Sequence, residues 1–360
     1  MNLEGGFYMP VKMDYQFVNE KNSYEDVMPK LLNEARNIQN KQIDFVANKV
    51  YQDGENLVFI ANGEEKVMNV TEFAFAQYCT KIGMSVAFYN KLANAPIVEL
   101  REMAVRNVNM LAKHYENDML IRTNSDVIRG VLSPRYTPFD NYQILELLDD
   151  ELRHNETMAL KDLNVRGYVN NPDIFHMRIT SARPMSMCGV ESGIYPGLSI
   201  ATSNIGTAKL SVNFLLYRQV CSNGMVVSCF NKSLISQVHV NISINELISR
   251  LRYSFMMYPS IALKAEHMVA KASNIKISNT LLEPGERGFR RETIKNKLNV
   301  SEKDMEEITK ILRENYPTTV WGYTNAITEF SKTKDFAKRI ELERLAGDIL
   351  LDPDLYALIV

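Results

Sequence analysis

Hydrophobic and polar positions alternate most clearly from Lys209 to Val220. Leu210, Val212, Phe214, Leu216 and Val220 share one parity, while Lys209, Ser211, Asn213, Tyr217 and Gln219 fall mostly on the other. That period of two predicts a strand with one buried face. Arg218 lies on the apolar side by parity, and a guanidinium cannot be deprotonated. Three arrangements satisfy it: an internal carboxylate, a bulge that re-aims it, or a face open to something anionic. Cys221–Gly224 then makes a turn. Upstream, Val46–Tyr51, Asn56–Ala61 and Glu65–Asn69 read as short strands joined at Asp53-Gly54 and Asn62-Gly63, both strong hairpin signals. Met119–Thr123 and Val127–Leu132 flank a turn at Asn124-Ser125-Asp126. Leu163–Asn170 and Phe175–Ser181 pair across Asn171-Pro172-Asp173, and Leu198–Thr202 follows. In Phe175–Ser181, Phe175, Met177 and Ile179 alternate with His176, Arg178 and Thr180, which predicts one wet face.

Helical spacing fills the rest. Tyr24–Ile38 is amphipathic, Thr71 caps a helix through Cys79, and Val86–Leu92 and Ile97–Tyr115 complete a helical group. Asp140 or Asn141 caps a helix to about Arg153. Leu247, Leu251 and Phe255 recur at four-residue spacing up to Pro259, and Ile261–Ala272 continues. Val300–Asn315, with Ser301 as its N-cap, and Asp335–Leu350 are amphipathic. The fold expected is α+β: a largely antiparallel central sheet with flanking helices and a mostly helical C-terminal region. Three regions are expected, 1–117 with short hairpins and helices, 118–241 rich in strands, and 242–360 helical.

Three blocks are similar to a known family. The first is Gly197-Leu-Ser-Ile200, Ser203-Asn-Ile-Gly206 and the strand ending Tyr217-Arg-Gln-Val-Cys-Ser-Asn-Gly-Met225. The second is Leu120-Ile-Arg122 with Ile128, Arg129, Gly130, Val131, Leu132, Ser133, Arg135, Tyr136, Phe139, Asp140 and Asn141. A vaguer third is Phe75–Phe88. Over about 70–240 the chain resembles the phage/plasmid-like proteins catalogued as domain of unknown function 932. The resemblance implies a gene carried by phages, prophages or plasmids. It implies no settled activity and no catalytic residues.

Composition narrows the function. The 360 residues are 46% hydrophobic and 23% charged with a net charge of −2, which is ordinary for a globular protein and excludes a uniformly basic coat. No apolar run reaches the roughly 18 residues that a membrane span needs, and the N-terminus lacks the pattern of a signal peptide. Cys79, Cys188, Cys221 and Cys229 form no CxxC pair and read as reduced thiols of a protein in the host cytoplasm. No phosphate loop, GxGxxG, HExxH or G-x-S-x-G motif is present. The five histidines stand far apart, and the sequence implies neither a metal nor another cofactor.

Arginine and aromatic residues suggest nucleic acid. Arg122, Arg129, Arg135, Arg166, Arg178, Arg183 and Arg218 fall in the strand-rich region, interleaved with Tyr136, Phe139, Tyr168, Phe175, Tyr195 and Tyr217. Arginine forks phosphates, and aromatic rings stack on bases. Between Arg250 and Lys297, ten Lys/Arg face four Glu, with the sharpest point at Pro284–Arg291. One expectation is therefore a non-enzymatic protein that binds or anneals single-stranded DNA, acting as an oligomer in recombination. Arg122, Arg129, Arg135, Arg218, Arg287, Arg290 and Arg291 would take phosphates, and Tyr136, Tyr168, Tyr217 and Phe289 would stack on bases. The other expectation is an accessory or anti-defence protein that binds a host protein and needs no basic groove. Paired strand arginines and solvated basic helix faces are the ordinary alternative for both clusters.

Overall fold

The computed structural model describes residues 16–17, 22–154, 162–184, 193–218, 223–227, 235–282, 289–351 and 353–360. Strand β1 (Gln16–Phe17) precedes α1 (Tyr24–Gln39), which Ser23 starts by accepting a hydrogen bond from the Asp26 amide. Tyr24, Val27, Met28, Leu31 and Ala35 form its buried stripe. The chain then builds β2 (Gln42–Ala47), β3 (Val50–Asp53), β4 (Asn56–Ala61) and β5 (Glu64–Val70). Asn62 and Gly63 both have positive φ, as a two-residue type I′ hairpin requires. The expected strand Val46–Tyr51 is really the end of β2 and the start of β3, split at Asn48-Lys49.

Thr71, as expected, caps α2 (Glu72–Ile82), followed by α3 (Val86–Ala93) and α4 (Val98–Lys113). Strands β6 (Met119–Asn124) and β7 (Val127–Leu132) join the same sheet, whose order is β2-β6-β7-β5-β4-β3. A boundary at residue 117 would therefore cut this six-stranded sheet between its members. All its pairings are antiparallel except β5 with β7. Leu57, Phe59, Ile121 and Val131 pack its inner face against Ala74, Tyr78 and Cys79 of α2 and Val108 of α4.

The second sheet is antiparallel throughout the described residues. Helix α5 (Asn141–Arg153) leads into β8 (Leu163–Asn170), β9 (Ile174–Ser181), β10 (Ile194–Ser203), β11 (Leu210–Arg218), β12 (Asn223–Val227) and β13 (Ile235–Gln237). The order is β1-β8-β9-β10-β11-β12, with β13 also on β11. Leu210, Val212, Phe214 and Leu216 are buried, as their alternation predicts. They join a core that includes α1, α5 and α6 (Ile244–Asn274). That core continues through α7 (Asn279–Leu282), α8 (Phe289–Leu298), α9 (Glu302–Asn315), α10 (Val320–Ser331), α11 (Phe336–Leu351) and α12 (Pro353–Ile359). Helix α6 runs unbroken through Pro259, where the sequence suggested a stop. The chain is thus α+β, with two largely antiparallel sheets and a helical C-terminal region.

The wet face expected on β9 is closed. His176, Arg178 and Thr180 are as buried as Phe175, Met177 and Ile179. Ionic and hydrogen-bonding partners from distant segments permit this.

Candidate functional site

Two buried polar clusters hold several of the residues that the sequence singles out. The first lies where the two sheets meet. Arg122 of β6 is 3% exposed. Its Nε donates to Asp44 on β2 at 3.1 Å, and its Nη2 donates to both oxygens of Asp140 at 2.7 and 2.9 Å. Its Nη1 donates to the Asn204 carbonyl at 2.6 Å, in the turn between β10 and β11. Burial works against the Arg122 charge, but Asp140 and Asp44 outweigh it and raise the guanidinium's pKa. Asp140 is itself the N-cap of α5. Burial raises its carboxyl pKa, with Arg122 opposing.

The same turn is gripped from several sides. Arg129 of β7 pairs with Asp173, and burial, then the nearby Arg122, push its pKa down to about 10. The Asp173 carbonyl accepts from the Asn204 amide at 2.8 Å. Gln77 of α2 donates to the Ile205 carbonyl and accepts from the Val131 amide, both at 2.9 Å. Gly130 admits the turn, since a Cβ there would come within 3.3 Å of Ile205. Tyr136 donates to the Ser203 carbonyl at 2.7 Å, and its ring stacks on His239 at 5.4 Å. Asn141 donates to Asn170 Oδ1 and the Asn171 carbonyl. The blocks around Arg122–Asn141 and Ser203–Gly206, far apart in sequence, are thus two halves of one joint.

The second cluster lies on the other face of the seven-stranded sheet. Arg166 sits at a bulge in β8, where the register shifts between Val165 and Gly167. Its Nε donates to Thr180 at 2.8 Å, and its guanidinium lies 5.0 Å from the Tyr195 ring centre and 4.5 Å from that of Tyr217. Arg178 pairs with Glu343 of α11, which is fully buried and also accepts from Arg339 at 2.9 Å. His176 Nε2 and Ser199 Oγ are 3.0 Å apart. Burial, then the Arg178 charge, hold the His176 pKa well below its ordinary value. Both side chains belong to the buried polar face of this sheet.

These positions correct the expected nucleic-acid surface at several residues. Arg122, Arg129 and Arg291 are buried and ion-paired, so their charges are neutralised within the fold. Arg291 donates to Glu302 at 2.8 Å and to the Leu281 carbonyl at 3.0 Å. Tyr136 and Tyr217 are buried, with ring faces against His239 and Arg166. Tyr168 is half-buried against the core, Arg290 is half-buried, and Arg135 is exposed. Arg218 ends β11 opposite Ile194 and Asn223, and Phe289 begins α8. Their side chains, and Arg287 entirely, lie outside the described residues. Part of the wider basic cluster is also ion-paired: Arg250 with Glu246, Arg252 with Glu151, and Lys295 with Glu292.

The sequence reading overlooked the exposed apolar side chains. Tyr51, Ile60 and Val67 are exposed on β3–β5, and Phe88, Ile97, Val98, Met103, Met110 and Leu111 along α3 and α4. Among the described residues no group of His, Cys, Asp or Glu is arranged to hold a metal ion, and no helix is long and apolar enough to cross a membrane.

A family model described as Domain of unknown function (DUF932) matches residues 129–346, from Arg129 in the joint to Ala346 in α11. That span begins and ends later than the resemblance at 70–240. No curated protein and no solved structure matches the chain.

Proposed function

The chain belongs to the family described as domain of unknown function 932, and we propose that it is a non-enzymatic accessory protein that works by binding another protein. The supporting observation is a contrast in where side chains lie. Arg122, Arg129, Arg291, Tyr136 and Tyr217 are built into the interior, whereas large apolar side chains stand exposed on β3–β5 and on α3–α4. Phosphates need accessible cations, and stacked bases need free ring faces. A protein partner needs apolar surface to bury. If the gene is carried by a phage or plasmid, as the resemblance implies, the partner is a host protein and the site of action is the host cytoplasm.

The test is recovery of the tagged chain from host lysate after nuclease treatment, together with titration of single-stranded DNA at physiological salt. The reading expects a stable protein complex and no oligonucleotide affinity. The reverse pair of results overturns it in favour of single-stranded DNA binding or annealing. Binding to DNA through n phosphate contacts would then weaken with salt at a log–log slope of about −0.7n.

A further inference from the structure

Two exposed apolar patches lie far apart on the chain and carry opposite charge. The first is the outer face of β3–β5. Leu57, Phe59 and Met68 point to the core of this sheet, so by alternation Tyr51, Ile60, Glu65 and Val67 point away from it. Tyr51 pairs with Val58 and Val58 with Val67, which makes one apolar row across three strands, and Ile60 stands opposite Glu65 in the next row. Val67 is 56% exposed, and Tyr51 and Ile60 are also open. Asn109 of α4 already satisfies the N–H and carbonyl of Gln52 on edge strand β3, so the open surface is the face and not the edge. Asp53, Glu55 and Glu65 border the row, and among the described residues they take part in no ion pair. Lys49, at the corner between β2 and β3, offsets one of these three carboxylates and leaves a net charge of −2, while Lys66 is held by Glu64.

The second patch is a seam on α6. Tyr253, Met256, Ser260, Leu263 and His267 recur at alternating spacings of three and four, and all five are exposed, Met256 by 76%. Arg252, Lys264 and Lys271 lie within about 70° of the seam around the helix axis. Glu266 stands farther round and is half-buried. Among the described residues Arg252 donates through Nε alone, to Glu151 of α5, which leaves its Nη groups to donate outward. Counting Glu151 and Glu266 against the three cations leaves the seam at +1.

We propose that the α6 seam of one copy docks on the β3–β5 face of the next, so that the chain assembles head to tail. The occupant is a second copy because the chain itself carries, for each patch, an apolar surface of the opposite sign. Seam against seam would set Arg252, Lys264 and Lys271 against the same cations, and sheet face against sheet face would crowd Asp53, Glu55 and Glu65 together. The cross pairing covers both apolar patches and brings carboxylates to cations at their borders. The dimensions agree: the outer two of three strands are about 10 Å apart, and a helix is about 10 Å across. Such a contact is heterologous, so it continues into a ring or a filament. This inference goes beyond the protein-binding reading: it gives β3–β5 to a second copy and leaves α3–α4 to the partner.

Sedimentation velocity on the full chain should show a mean mass that rises over about a hundredfold range of concentration and falls as salt rises. Ile60→Gln with Val67→Gln removes the anchors of the sheet face, and Met256→Gln with Leu263→Gln removes those of the seam. All four side chains are exposed, and an unchanged urea midpoint confirms folding. Each double variant alone should stay monomeric. An equal mixture of the two should form dimers and nothing larger, because each pair retains one intact sheet face and one intact seam. Asp53→Lys with Glu65→Lys should weaken assembly at least about tenfold, and adding Lys264→Glu with Lys271→Glu to the same chain should restore it. An unsubstituted chain that is monomeric at every concentration overturns the proposal. So does a mixture that stays monomeric, a double variant that still assembles alone, or a charge reversal that is not restored. None of these outcomes bears on recovery of a host-protein complex, which tests the protein-binding reading separately.

Discussion

Replacing Arg122 by methionine tests whether the joint between the sheets is structural. The substitution keeps an unbranched apolar stem but removes hydrogen bonds to Asp44, both oxygens of Asp140 and the Asn204 carbonyl. Removing one partner of a buried ion pair costs about 3–5 kcal/mol, because the other charge is left uncompensated. Asp140 retains its place as the N-cap of α5, and the Asp44 side chain is 30% exposed, so water can reach it. The lower end, about 3 kcal/mol at pH 7, is therefore expected. Urea unfolding measures it as a fall in midpoint. The loss should also depend on pH. Burial already raises the Asp140 pKa, and Arg122 is the main influence lowering it. Without Arg122, the folded state holds a proton that the unfolded state releases as pH rises. The variant is then penalised most at neutral pH, and its deficit relative to the unsubstituted protein narrows as pH falls toward 5. A loss below about 1 kcal/mol at pH 7 would refute the structural role, since ordinary surface substitutions fall near that range. A nucleic-acid contact predicts the opposite pattern: unchanged stability and weakened DNA binding.

Three other outcomes follow from the same geometry. Glu343→Leu removes the carboxylate that Arg178 and Arg339 share and should cost about 3–5 kcal/mol, whereas Arg178→Met leaves Glu343 held by Arg339 and should cost less; the reverse order in urea midpoints would contradict the shared-carboxylate arrangement. Burial pushes the His239 pKa down to about 4 from 6.5, so its neutral form contributes stability that is complete above pH 6.5 and lost as pH falls through 4, up to about 3 kcal/mol. A urea midpoint that falls no faster between pH 6.5 and 4 than in His239→Phe would count against this. Phe214→Ala empties a fully buried site against Tyr258 and should cost about 3–5 kcal/mol by chemical denaturation; a loss under 1 kcal/mol would mean the face is not packed as described.

Local features were legible in the sequence because short-range rules decide them. The glycine hairpins, the Thr71 and Ser301 caps and the alternation of β11 all depend on neighbours a few residues away. Partnership across the chain was not. Arg122 lies 78 residues from Asp44, and Arg178 lies 165 residues from Glu343. A strand carrying His176, Arg178 and Thr180 therefore looked wet, although each has a buried partner. Helix α10 was missed for a related reason. Its Thr324, Asn325, Thr328 and Ser331 look like loop residues, yet each side chain donates to a carbonyl three or four residues back. Those local bonds allow polar side chains on a helix that is buried on nearly every side.

The arginine-rich composition of the strands has an internal explanation. A buried cation must satisfy several acceptors at once, and the guanidinium fork can do so where a lysine ammonium would leave geometry unmatched. Arg122 uses its fork on two carboxylates and a backbone carbonyl, and Arg291 on a carboxylate, a carbonyl and a hydroxyl. Arg166 donates to Thr180 while its plane lies beside two tyrosine rings. Planarity and a fixed array of donors are the same properties that suit arginine to phosphates and bases. Sequence alone therefore cannot separate a nucleic-acid surface from an interior held together by arginine. The separating feature is the position of the carboxylates, and for Arg122, Arg129, Arg178 and Arg291 those carboxylates lie inside the fold's own contacts.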